Sequence, residues 1–297
     1  MRTARAVLSV TSLVVTVFIS TASGGAPMGP PMALLEEGQW AVGGEYGREQ
    51  IDLQGAGLFN ATYVEDGVFS YDFVEALGIQ DMEMNMIFGT LAYGVCDDWD
   101  VFLRLGAADA KDDMVGASDV VDYGIPGAYS LGTLDGSFGF AWGAGTRTTF
   151  CRQGPWSFGG LMQVTWFEPG DSDVAYADPI LEDPDVVHVG EARLDYWQAQ
   201  VSLAAVYQVD TLSFWAGPFV QFFEGDIERS GIILLDGEGY GDSFSASGEI
   251  EEISQFGGHF GANWDMADQW NLWVEGQVTG DSWVIGVGAL FLPQEAF

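Results

Sequence analysis

The sequence predicts an all-β protein whose strands close into an antiparallel up-and-down transmembrane β-barrel of ten strands, with eight or twelve as the alternatives. Three observations carry this prediction. Bulky apolar residues alternate with glycine and polar residues at period two, and the links between such segments alternate between short and long. Beyond the N-terminus no apolar run is long enough to cross a bilayer as a helix, which takes about 20 residues, so any crossing must be made by strands.

Ten segments have strand character, at about 39–48, 82–95, 99–109, 137–150, 156–167, 192–208, 211–224, 249–265, 269–279 and 282–292. In the ninth, Trp270, Leu272, Val274 and Val278 share one face and Asn271, Glu275 and Gln277 the other. In the tenth, Trp283, Ile285, Val287, Ala289 and Phe291 oppose Val284, Gly286, Gly288 and Leu290. Phe138, Phe140, Trp142 and Ala144 likewise oppose Gly139, Ala141, Gly143 and Gly145. A soluble sandwich would turn the bulky face into a core and show an ordinary surface. Here the second face is small, with scattered charges and almost no lysine, which suits a lumen, with the bulky face toward lipid. Trp40, Trp99, Trp156, Trp264, Trp270 and Trp283 sit near segment ends, where rings favour membrane interfaces.

Residues 1–25 read as an export signal: Arg2 and Arg5, then an uncharged apolar run over Ala6–Ser20, then small residues over Thr21–Ala26. Residues 26–38 read as a short linker and 39–297 as the barrel. The 49–81, 110–136, 168–191 and 225–248 stretches read as long outer loops. The links at Cys96–Asp98, Cys151–Pro155, Val209–Asp210 and Met266–Asp268 read as short periplasmic turns. A hairpin of Gly57–Tyr63 against Gly67–Phe73, hidden in the first long stretch, would make twelve strands.

Charge narrows the partners. Nine Lys+Arg stand against 44 Asp+Glu, a formal net of -35. That excludes nucleic acid, which is held by basic residues on phosphates, and attraction to anionic head groups. Outer-membrane lipid, the assembly machinery and small cationic solutes are the partners expected.

The GVCDDWDVFLRLGAA hairpin and the FGFAWGAGTR strand, with the ten amphipathic segments and the export signal, resemble small bacterial outer-membrane β-barrel proteins of the OmpA-type and major-outer-membrane-protein-like set. The resemblance is one of pattern over nearly the whole mature chain. It implies a bacterial outer-membrane location after signal cleavage and an assembly signal at the terminal aromatic, Phe297; because Pro293 interrupts the alternation, an internal signal around Trp283–Leu292 is the alternative.

Several residues are candidates for function. Glu45, Glu83, Arg104, Arg147 and Glu275 are expected to form a charge network in the lumen, joined by Asn85, Gln163, Gln198, Gln200, Gln277, His259 and Asn263. The network either fills the barrel or forms a constriction that selects solutes. Cys96 and Cys151 fall in neighbouring periplasmic turns, where an oxidising compartment permits a disulfide. Asp171, Asp173, Asp178, Asp183 and Asp185 are the candidate Ca²⁺ ligands, against the plainer reading of a solvated anionic surface. No other cofactor is expected. Asp183, Asp185 and His188 superficially suit an omptin-like surface protease, but no enzyme motif is present. The leading expectation is a non-enzymatic barrel, either structural or a narrow cation-preferring channel. A Ca²⁺-dependent adhesion module is the alternative and the protease a remote one.

Overall fold

A computed structural model describes residues 25–64, 69–117, 128–177, 186–267 and 269–293. Twelve strands are present: β1 (Trp40–Tyr63), β2 (Phe69–Cys96), β3 (Trp99–Ala117), β4 (Ala128–Gln153), β5 (Trp156–Glu168), β6 (Ser172–Ala177), β7 (Val186–Val209), β8 (Leu212–Leu235), β9 (Glu238–Glu252), β10 (Phe256–Ala267), β11 (Trp270–Val278) and β12 (Ser282–Phe291). They form one antiparallel sheet in which β12 also pairs with β1 and β8 with β7. Ten of them, all but β6 and β9, therefore follow one another in a ring.

The other two strands extend this ring upward. β6 continues β5 along β7 after a break at Pro169–Gly170, where the Gly170 N–H donates to Ser137 O of β4. β9 continues β10 along β8 and pairs on its other side with β1. It fills a gap that β11 and β12, only 9 and 10 residues long, are too short to fill.

The stretches read as long outer loops are largely strand. β1, β7 and β8 each run for 24 residues and β2 for 28. The supposed hidden hairpin is the tip of the β1–β2 pair, with Phe59 opposite Phe73 and Tyr63 opposite Phe69, so it lengthens two strands and adds none. The stretch 225–248 holds a two-residue turn at Asp236 and Gly237, both at positive φ (52° and 80°), the turn that best matches strand twist. The segment expected at 249–265 is two strands, interrupted at Ile253–Gln255.

What hid the long strands is a change of polarity along them. The lower part of β8 points Leu212, Phe214, Val220 and Phe222 outward, whereas the upper part points Glu224, Asp226 and Glu228 outward. Its inward residues change from a mixture of Ser213 and Gln221 with Trp215 and Phe219 to Phe223, Ile227 and Ile233 around Arg229. Period two holds along β8, so its alternation runs unbroken through the change. The lower ring is thus apolar outside, and within it the buried amides and charges lie beside two small apolar clusters, one with Phe102, Leu161 and Phe219 and one with Trp215 and Trp273. Trp142 and Ile285 are 42% and 55% exposed on its outer face, and Trp40, Trp99, Trp156 and Trp270 ring its lower rim. The upper ring is polar outside and encloses the main apolar core, including Phe59, Leu77, Leu131, Tyr176 and Phe244.

One bulge marks the crossover on β2. Between the pairs Ile51–Met82 and Leu53–Ile79 an extra residue enters, and Asp81 there takes a left-handed φ of 61°. Its amide donates to Asp52 Oδ1 at 2.7 Å. The inward set consequently shifts from Met86, Met84 and Met82 below to Ile79, Leu77 and Glu75 above.

Candidate functional site: a chain segment inside a polar ring

Residues 26–38, expected as a linker, instead thread the lower ring. Residues 25–31 are all buried. The reason lies in the inner face itself, where amides and charged groups need partners and inward glycines leave room. A Cβ on Gly159 would sit 2.2 Å from the Pro31 carbonyl oxygen, and one on Gly94 2.0 Å from that of Glu36. Only glycine admits so close an approach of backbone to backbone.

The segment is held by its main chain. Ala26 N donates to Gln198 Oε1 at 2.8 Å, and the N–H groups of Met28 and Gly29 donate to the two carboxylate oxygens of Glu275 at 2.6 and 2.9 Å. Leu34 N donates to Asp100 Oδ2 at 2.7 Å. In the other direction, Arg104 Nη1 donates to Pro27 O at 2.6 Å and Gln277 Nε2 to Ala26 O at 3.0 Å. A relay of amides crosses the same space, Gln163 donating to Gln200 at 2.5 Å and Gln200 to Gln277 at 2.9 Å.

The charges expected in the lumen divide. Arg104 pairs with Glu45 at 3.4 Å, and Thr90 donates to the other oxygen of Glu45 at 2.7 Å. Arg147 lies inside but pairs with Asp100, at 2.8 Å, a carboxylate the sequence reading passed over because it follows a turn. Glu275 lies inside and serves the N-terminal segment. Glu83 does not join them. It sits half-exposed on the outer face in a 2.8 Å ion pair with Arg48, and Asn85 also faces outward, accepting from the Tyr46 hydroxyl at 2.9 Å. Both belong to the stretch where polarity changes over, so polar no longer means inward there.

Above Arg104 the interior turns aromatic. The guanidinium lies 4.8 Å from the Phe88 ring centre, and Phe167, Tyr196 and Phe223 stack in sequence with centroids 4.7 and 4.5 Å apart. Higher still, Arg229 pairs with Glu75 across the upper ring. His188, expected in an outer loop, is buried on β7 with the Tyr176 and Phe244 rings each 4.9 Å away. Its neighbours are rings of the core, and Asp183 and Asp185 lie outside the described residues. His259 and Asn263 are inside the lower ring.

Cys96 and Cys151 are exposed at the lower rim and not bonded to each other, since each lies in a separate hairpin with β3 between. Asp171 and Asp173 point outward at the β5–β6 junction, while Asp178, Asp183 and Asp185 lie outside the described residues. Among the described residues no three acidic, histidine or cysteine side chains converge as a metal site would need.

No family model and no curated protein matches the chain. Solved structures that resemble it are bacterial outer-membrane β-barrels. The outer membrane protease OmpT of Escherichia coli is 7% identical with a TM-score of 0.45, over 85% of this chain and 97% of that one. The outer membrane protein OprG of Pseudomonas aeruginosa is 10% identical with a TM-score of 0.43, over 88% and 98%. The toluene transporter TbuX of Ralstonia pickettii is 12% identical with a TM-score of 0.33, over 91% and 95%. Likenesses this distant assign neither an activity nor a ligand.

Proposed function

We propose that the chain is a bacterial outer-membrane β-barrel protein with ten strands in its closed wall, filled rather than open, which raises an acidic sheet surface outside the cell. The observation that carries this reading is the reversal of polarity along the strands. An outward face of Val, Leu, Ile and Phe bounded by aromatic rings fits hydrocarbon, and the acidic outward face above it fits water. The two shortest strands agree in size: β11 and β12, of 9 and 10 residues, match the about 9–11 residues that a tilted strand needs to cross. The short turns at the lower rim then face the periplasm.

The filled interior favours a structural role over a narrow cation-preferring channel. The N-terminal segment occupies the polar part, and the aromatic layer and core occupy the rest. Burial of His188 among rings favours a non-enzymatic role. A calcium-dependent adhesive role has no support among the described residues, and an absence of heat on titrating the refolded protein with millimolar Ca²⁺ would remove it.

Membrane fractionation with gel migration before and after boiling tests the location: the protein is expected in the outer-membrane fraction, migrating anomalously until heated. Planar-bilayer recording tests the filled lumen. No steady current is expected from the whole protein, and steady cation-selective conductance would replace the structural reading with the channel.

A further inference from the structure

Among the described residues, the buried carboxylates have an arginine or a main-chain N–H as partner, with one exception. Glu45, Asp100 and Glu75 pair with arginines, Glu275 receives two main-chain N–H groups, and Glu252 receives the N–H of Phe223. Glu49 is 0% exposed and pairs with no cation among the described residues; the donor beside it is the neutral Gln198 amide. It lies on β1 opposite Val284 of β12, between the outward Arg48 and Gln50. An unpaired acid enclosed in this way is costly to keep unless a cation stands beside it.

The same Gln198 amide marks where the N-terminal segment begins. Ala26 N is 2.8 Å from Gln198 Oε1, and Gly25 is packed so closely that a Cβ there would lie 2.5 Å from Gln198 Nε2. The small residues Thr21–Ala26, which follow the apolar run of the leader, are the kind at which an export peptidase cuts.

We propose that export processing cuts the chain beside Gly25, and that the α-ammonium so created, on Ala26 or on Gly25, is the buried partner of Glu49. The inference rests on the outer-membrane reading above. The step is hydrolysis with water as co-reactant. The C–N bond of one peptide breaks, hydroxide completes the carboxyl of the leader, and the released amine takes up protons to become an ammonium. Because Gly25 and Ala26 are buried, cleavage precedes closure of the ring. Processing thereby removes the leader and also supplies the one positive charge the interior lacks, fixing the segment in place.

The composition makes the test clean. Lys111 is the sole lysine, so the processed chain carries two amines. Intact mass of protein purified from the outer membrane should give a chain starting at Gly25 or Ala26. An unprocessed chain would sink the export reading itself, and a start at Met28 or later would sink only the present inference. Acetylation with a limiting amine-reactive ester, followed by peptide mapping, should modify the α-amine at least about tenfold more slowly in folded than in urea-unfolded protein, since one pKa unit upward removes that much free amine. Lys111 should show little such protection, and equal protection ratios at the two amines would overturn the proposal. Glu49→Gln should restore reactivity of the α-amine. If that variant fails to fold, a Lys111→Arg chain acetylated at its N-terminus while unfolded provides the second route. It should refold with a lowered unfolding midpoint, and loss of no stability would overturn the pairing.

Discussion

The lower and upper rings share β1, β2, β3, β4, β7 and β8, yet they obey opposite rules. Below, Ile285 and Trp142 face outward while Gln163, Gln200 and Arg104 face in. Above, Glu224, Asp226 and Glu228 face outward while Phe59, Ile227 and Phe244 face in. On β2 the change coincides with the bulge at Asp81, whereas β8 alternates straight through it. On the outer-membrane reading proposed above, the medium sets which face is apolar, and alternation lets one strand serve both media.

Four experiments bear on this contrast, beginning with the largest effect. Phe244→Ala in the upper core should cost about 3–5 kcal/mol, as for other large-to-small changes in a packed core. Ser213→Ala in the lower interior should be close to neutral, because the hydroxyl has no hydrogen-bond partner among the described residues. Urea unfolding in micelles would measure both, and equal losses would erase the distinction between the two interiors.

Ile285→Arg in the outer belt should cost about 2–4 kcal/mol in lipid vesicles if that position lies in hydrocarbon. Ser245→Arg on the upper outer face should stay within about 0.5 kcal/mol. Similar costs at both sites would deny the belt its lipid. Next, Gly159→Val should cost about 1–3 kcal/mol through overpacking against the Pro31 carbonyl, and should open residues 26–34 to added protease. A variant as resistant as the parent would mean that the segment is not seated in the lower ring.

The smallest effect concerns Lys111, whose ammonium is held above the usual lysine range chiefly by its hydrogen bond to Asp135. A raised folded pKa gives stability that is present below the unfolded value and lost as pH rises through the folded one. Because the pair is exposed, its contribution is screened. Asp135→Ala should bring the titration of Lys111 down, followed by the pH dependence of acetylation, with the unfolding midpoint scarcely moved. A large loss would mean that the upper outer face is not solvated as a water-facing surface is.

The sequence carried the belt strands clearly, because Trp270–Val278 and Ser282–Phe291 keep a period of two with only Trp273, Val284 and Leu290 as inward bulky apolar residues. It concealed their upper continuations, where carboxylates such as Asp226 and Glu228 have the composition of a loop although Ile227 between them keeps the period. Glu83 was misplaced for the same reason: with Met82 and Met84 beside it, the rule for the belt sends it inward and the rule for the upper ring sends it out. Arg104, Arg147 and Glu275 were legible as lumen charges because they lie among belt residues. The occupant of the lumen was not legible, since the stretch APMGPPMALLEEG has no periodicity, and only the three-dimensional arrangement shows that its peptide groups answer the amides of Gln163, Gln198 and Gln277.

The ladder between β1 and β12, with Val42 opposite Phe291 and Ile51 opposite Ser282, joins the two extremes of the polypeptide. Contacts so remote in sequence form late, because a very large loop must be closed to make them. Until that seam zips, the N-terminal segment can enter sideways between the first and last strands. Afterwards it lies within a complete hoop, like a cork fitted before the staves are drawn together, and removing it requires either sliding out through the rim or reopening the seam.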